Sequence, residues 1–299
     1  MLKTSALKRI AIATIALVIF IFICVIPTNI NKTKKNISII YDESKDTPVY
    51  LQDHNDYVSR INISSSESDI KYIIELLTIN GKYHSLIPKG FNATIPENTK
   101  LLNYETKDNI LYLNFSEELL NVSLQNEEKM IESIIYSLCE FNGIKGIIIK
   151  VNGMKLTHLP KSGKALPDVL NYEYGINKTY NLNNIKNTEQ VTVYYLSKYN
   201  NINYYIPITK ISNTNTSKVE VIVSELKTTP YIKANISSYL KASYELEQYE
   251  ILENSIKLTF NNELLMGVSD ENIEEELKYI LTLSIRDTYN IEDITININ

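Results

Sequence analysis

Three histidines, two cysteines and a few runs of carboxylates are the residues of this chain whose types could carry acid–base, nucleophilic or metal chemistry. His54, His84 and His158 are far apart in sequence, and none has a carboxylate or cysteine at a spacing such as H-x-x-x-H, which would set two ligands on one helix face. They read as loop or surface histidines. Cys24 lies in an apolar N-terminal run and Cys139 closes a predicted helix, so the two do not pair within the chain. No His or Lys adjoins Cys139 to stabilise a thiolate, and it reads as a small, partly buried hydrophobe. Glu117 and Glu118 follow a predicted strand near a turn. Glu274, Glu275 and Glu276 open a predicted helix, where negative charge suits the dipole. Lys89-Gly90 and Gly143-Ile144-Lys145-Gly146 are turns rather than phosphate-cradling loops. The expectation is no catalytic residue, no metal site and no cofactor.

Two tyrosine pairs remain, Tyr194 with Tyr195 and Tyr204 with Tyr205. Strand alternation turns one member of each pair inward, and the other could face a protein or sugar partner. The glycosylation-like sequons at Asn62 and Asn121 carry little information in so Asn-rich a chain.

The elements that must position these residues occur twice. Ile70, Ile73, Ile74 and Leu77 form an amphipathic helical stripe, and Val219, Ile222, Val223 and Leu226 repeat its spacing. Leu111, Leu113 and Phe115 alternate as a half-buried strand ahead of Glu118-Leu119-Leu120; Ile256, Leu258 and Phe260 do so ahead of Glu263-Leu264-Leu265. Ser123 and Ser269 are predicted N-caps of a second helix, with stripes at Ile131, Ile134, Ile135, Leu138 and at Leu277, Ile280, Leu281, Ser284. A last strand follows in each copy, through Ile147, Ile149, Val151 and Ile294, Ile296, Ile298. The order strand, strand, helix, strand, strand, helix, strand predicts an α+β chain: two tandem two-layer domains, each with two helices on a small, mainly antiparallel sheet. The domains are expected at 47–154 and 189–299. Residues 155–188 form an ordered connector that packs Leu166, Val169, Leu170 and Tyr172.

Residues 10–26 are apolar but for Thr14, preceded by Lys3, Lys8 and Arg9 and closed by Pro27. This predicts a single-pass N-terminal membrane helix acting as an uncleaved signal anchor, with 1–9 cytoplasmic, 27–46 a tether and the domains extracytoplasmic. The alternative is a lipid anchor at Cys24, against which Ile23 occupies the place where Gly, Ala or Ser is usual. A net charge of -5 gives no basic footprint for a phosphate backbone, so nucleic acid is not an expected partner. At 44% hydrophobic and 22% charged residues, the chain has a globular balance.

Several motifs, in order, carry a family likeness: Leu86-Ile87-Pro88-Lys89-Gly90-Phe91, Ile95-Pro96-Glu97-Asn98-Thr99, Leu113-Asn114-Phe115-Ser116, Val151-Asn152-Gly153 and Tyr174-Gly175-Ile176-Asn177. With Val191 to Leu196 and Tyr204 to Lys210, they resemble the GerM-domain family of spore-forming Firmicutes. The resemblance implies ring-building-motif-like domains and a non-enzymatic assembly role in sporulation and germination. It also implies a place in the envelope between mother cell and forespore, with channel-complex proteins and further copies of the chain as partners. It brings no catalytic residue with it. The rival expectation is an extracytoplasmic module that binds peptidoglycan or an envelope enzyme through its tyrosine-rich strands.

Overall fold

A computed structural model describes residues 35–38, 46–65, 67–141, 143–184, 186–213, 216–228, 240, 245–261, 271–291 and 293–298. The apolar segment 10–26, Cys24, Glu263 and Ser269 lie outside the described residues. Among the described residues, no helix is long and apolar enough to cross a membrane.

After a short strand β1 (Lys35–Ser38), the first repeat runs β2 (Asp46–Asp53), β3 (Val58–Ser64), α1 (Ile70–Leu77), a two-residue β4 (Phe91–Asn92), β5 (Leu101–Lys107), β6 (Ile110–Phe115), α2 (Glu127–Leu138), β7 (Gly146–Val151) and a two-residue β8 (Met154–Lys155). A connector strand β9 (Thr179–Asn181) precedes the second repeat: β10 (Glu189–Tyr199), β11 (Ile202–Ser212), α3 (Lys218–Leu226), β12 (Leu246–Ile251), β13 (Ser255–Phe260), α4 (Glu271–Tyr289) and β14 (Asp293–Ile298). The fold is α+β. All four helical stripes read from the sequence are buried, except that Ile70 at the start of α1 is partly buried against the core.

Local chemistry sets several boundaries. Asp69 caps α1 by accepting from the Tyr72 amide at 2.7 Å, and Ser217 with Glu220 forms a capping box on α3. Ser123 does not cap α2. A 3-10 turn over Glu117–Asn121 takes up chain first, and α2 begins at Glu127 after Asn126, which makes no side-chain cap. Ser123 offers only its carbonyl, to the amides of Asn126 and Glu127.

The strands of each repeat separate into two sheets. β5, β6, β7 and β8 form one in that order; β1, β14, β13 and β12 form its counterpart. In each, the strand before the long helix lies parallel to the strand after it, β6 with β7 and β13 with β14, because the helix supplies the crossover that parallel strands require. The remaining hairpins, β2–β3 and β10–β11, join one sheet of order β10-β11-β3-β2-β4, through an antiparallel contact that sets Tyr205 opposite Arg60. Helix α2 packs on β2, and α3 and α4 pack on β10. This shared sheet lies within one compact unit, Asn36–Ile298.

The tyrosine pairs follow from that burial. β10 is covered on both faces from Val191 to Ser197, as in strands whose alternation is lost when both sides are packed. Tyr194, Tyr195 and Tyr204 are fully buried and Tyr205 is partly buried against the core. One-in, one-out alternation therefore fails for Tyr194 and Tyr195, which are both buried, while in the second pair Tyr204 turns inward and Tyr205 is half-buried.

Candidate functional site: a buried charge cluster where the repeats meet

The two repeats build the same small motif twice and press the two copies together. On β2, the Tyr50 amide donates to Ser137 Oγ at 2.9 Å; on β10, the Tyr194 amide donates to Ser284 Oγ at 2.9 Å. Each serine sits on the helix covering that strand and satisfies an edge amide that has no strand partner. Three residues beyond each serine comes an acid, Glu140 in one repeat and Asp287 in the other. The Tyr50 hydroxyl donates to Glu140 Oε1 at 2.9 Å, and the Tyr194 hydroxyl donates to Asp287 Oδ2. The two phenol oxygens lie 2.7 Å apart.

Two arginines close the cluster. Arg286 grips Glu140 with both terminal nitrogens, at 2.8 and 3.0 Å, and gives its Nε to Asp287 Oδ1 at 2.7 Å. This two-pronged geometry is the strongest form of such a pair, and here it crosses from the second repeat to the first. Arg60 Nε adds a contact to Glu140 Oε1 at 3.2 Å. The Arg60 and Glu140 side chains are 3% and 6% exposed. Tyr279 lies beneath the Arg60 guanidinium and Tyr172 beneath that of Arg286.

Burial raises the cost of charge throughout, and the partners decide which acid tolerates it. For Glu140, burial pushes the carboxyl up, but Arg286 and Arg60 overcome it and hold the pKa at about 2. For Asp287, burial wins over Arg286 and the carboxyl is raised. Burial also lifts the phenols of Tyr50 and Tyr194 well above their ordinary range. Two arginines and two acids thus meet in one buried site. Such an arrangement positions elements.

The connector joins the same seam. Asn177 donates Nδ2 to the carbonyls of Val58 at 2.8 Å and Pro207 at 2.7 Å, and accepts from the Val58 amide at 2.9 Å, so one side chain ties β3 to β11. Its own amide donates to Glu132 Oε2 at 3.2 Å. Glu132 in turn holds Lys178 at 2.8 Å in a buried pair.

The residues singled out in the sequence for chemistry do not converge. His54, His84 and His158 are exposed, and His54 stacks on Tyr199 with ring centres 4.0 Å apart. Glu117 is exposed, and a hydrogen bond from Ser116 keeps the Glu118 carboxyl below its ordinary value, the wrong direction for a general acid. Cys139 caps α2, partly buried, and burial pushes its thiol up to about 12. Glu276 accepts from Asn203 Nδ2 at 2.8 Å. Among the described residues, no three His, Cys, Asp or Glu side chains gather as a metal site. An open depression of about 580 Å³ lies between α3 and β12, lined by residues including Glu220, Lys227, Glu247 and Tyr249.

Sequence reading missed Arg60, Glu140, Arg286 and Asp287. One signal was present: Arg occurs only three times among 30 basic residues, and two of the three are here. A chain that otherwise uses Lys keeps Arg where planar, two-pronged pairing is needed.

Comparison with known proteins places this architecture. Residues 41–157 match the family described as Germane, sporulation and spore germination. The chain is similar to the spore germination protein GerM of Bacillus subtilis (strain 168), with 27% identity over 259 residues, covering 84% of this chain and 70% of that protein. Its fold is similar to the solved tandem GerMN domains of the sporulation protein GerM from Bacillus subtilis, with a TM-score of 0.74, 24% identity, and coverage of 85% of this chain and 90% of that one.

Proposed function

We propose that this chain, which matches the Germane family of sporulation and spore germination over residues 41–157 and is similar to GerM over 84% of its length, acts by assembly rather than by catalysis. In this reading the chain is held to the cell membrane by residues 10–26, or by a lipid at Cys24, with both repeats outside the cytoplasm. There, in the space between mother cell and forespore, the repeats contribute ring-building-type domains to the channel complex that links the two cells.

The observation that carries the reading is the seam. Its ionisable groups pair with one another across the two repeats in a buried cluster. That arrangement suits a rigid two-repeat block for presenting surfaces to partners. The rival, a wall-binding module that uses the tyrosine-rich strands, is weakened because Tyr194, Tyr195 and Tyr204 are buried.

The test is crosslinking in sporulating cells followed by purification of the chain. Channel-complex proteins should be recovered with it, from the membrane fraction. Recovery from the soluble fraction, or with cell wall alone, would overturn the proposal.

A further inference from the structure

Among the described residues, β5 is the open edge of its sheet. At the opposite edge, β7 is closed, since Ile147 exchanges amide and carbonyl with Leu170 at 2.7 and 2.9 Å, and Leu156 donates to the Ile149 carbonyl at 2.9 Å. β5 pairs only with β6 among the described residues. The turn between them is two residues, Asp108 and Asn109, at φ 51 and 64, which is the type I′ geometry of tight hairpins. Such a turn makes Lys107 and Ile110 a hydrogen-bonded pair. Alternation then points the amides and carbonyls of Tyr104 and Thr106 away from β6. Leu102 and Tyr104 are 48% and 44% exposed along this edge.

Natural sheets usually guard such an edge with charge. The counterpart strand β12 does so: Glu245, Glu247, Glu250 and Glu253 lie in or beside it with no basic residue between them, so two copies of that edge repel. β5 is different. Lys100, Glu105, Lys107 and Asp108 lie in or beside it, and their charges cancel.

We infer that β5 pairs antiparallel with β5 of a second copy of this chain, with Tyr104 opposite Tyr104. In that register Glu105 faces Asn103, Leu102 faces Thr106 and Lys107 faces Leu101 along the strand, and beyond each end Lys100 of one copy comes beside the turn residue Asp108 of the other. Centring the pair on Glu105 instead would set two glutamates directly opposite, and centring it on Asn103 would lose both Lys100–Asp108 pairs. Centring it on Thr106 would set Glu105 opposite Lys107 twice but would carry Leu101 to Asn103 past the partner's turn, whereas Tyr104 is the midpoint of the strand, so full overlap and charge together select one register. A β-bulge between Leu101 and Asn103 limits the length that can pair, so the contact is small and of the weak, transient class. The inference deepens the assembly reading by naming one partner; the contact itself is argued from the strand alone.

Cysteine crosslinking of the full chain, with Cys24→Ala to leave Cys139 as the background thiol, tests it. Tyr104→Cys should give a covalent dimer under mild oxidation, because the paired positions meet. Leu102→Cys and Thr106→Cys should give little dimer singly, since each lies about 13 Å from its own copy in this register, beyond disulfide reach. Mixed together, those two should crosslink. Lys100→Glu added to Tyr104→Cys should reduce the dimer several-fold, by placing like charges opposite one another. Absence of dimer from Tyr104→Cys, equal dimer from all three single variants, or a ladder of higher species would overturn the pairing. If the crosslink fails while channel proteins are still recovered from sporulating cells, the edge contact falls and the assembly reading stands.

Discussion

Glu140→Ala is expected to destabilise the folded unit by about 3–5 kcal/mol, the usual cost of removing one partner from a buried ion pair. Arg60 and Arg286 would remain buried, with Arg286 losing both of its hydrogen bonds to the carboxylate. The check is the denaturant midpoint at unchanged slope. Asp287→Asn should cost much less, because burial already disfavours the ionised form of that acid. The two acids also predict opposite pH behaviour. Glu140 has a folded pKa of about 2 against 4.5 for the free side chain, so its contribution is present above 4.5 and lost as pH falls toward 2. The gap between wild type and Glu140→Gln should therefore close on acidification. Asp287 has a raised folded pKa, so its contribution is present in acid and lost as pH rises; Asp287→Asn should gain on wild type toward neutral pH. Equal costs for Glu140→Ala and Asp287→Asn at neutral pH would contradict the electrostatic account.

Ile74→Asp and Val223→Asp should each cost several kcal/mol, because an unpaired carboxylate would enter the core in equivalent helices of the two repeats. Ile74 is 3% exposed and Val223 5%. Thermal unfolding of each variant beside wild type measures the loss. Wild-type stability in either would place that helical stripe outside the core.

Much of the fold was readable because it is written in local periods. The stripes on α1, α2, α3 and α4 and the alternation of β6 and β13 need only neighbouring residues to be seen, and each appears where the period put it. The destination of the hairpins was not readable, because the pairing of β11 with β3 joins residues more than a hundred positions apart and leaves no period in the sequence. Ser123 misled for a local reason: the 3-10 turn before α2 delays the helix, and no sequence period marks such a turn. The seam was hidden twice over. Glu140 follows the last turn of its helix, where an acid looks like solvent decoration, and Arg286 belongs to the other repeat. Asn177 stood out only as part of a family-like motif; its role in tying β3 to β11 depends on three backbone groups that no spacing rule connects.

The central claim is that the protein works through contacts and not chemistry, and spore yield tests it most directly. Conservative changes at the titratable residues open to solvent, His54→Ala, His84→Ala, His158→Ala and Glu118→Gln, should each leave spore yield at the wild-type level. Thermal unfolding of the same variants establishes that they remain folded. Charge reversals on exposed strand edges and helix faces should lower the yield without unfolding the protein. A folded Glu118→Gln or histidine variant that loses spore formation would contradict the account and point to a ligand or catalytic site.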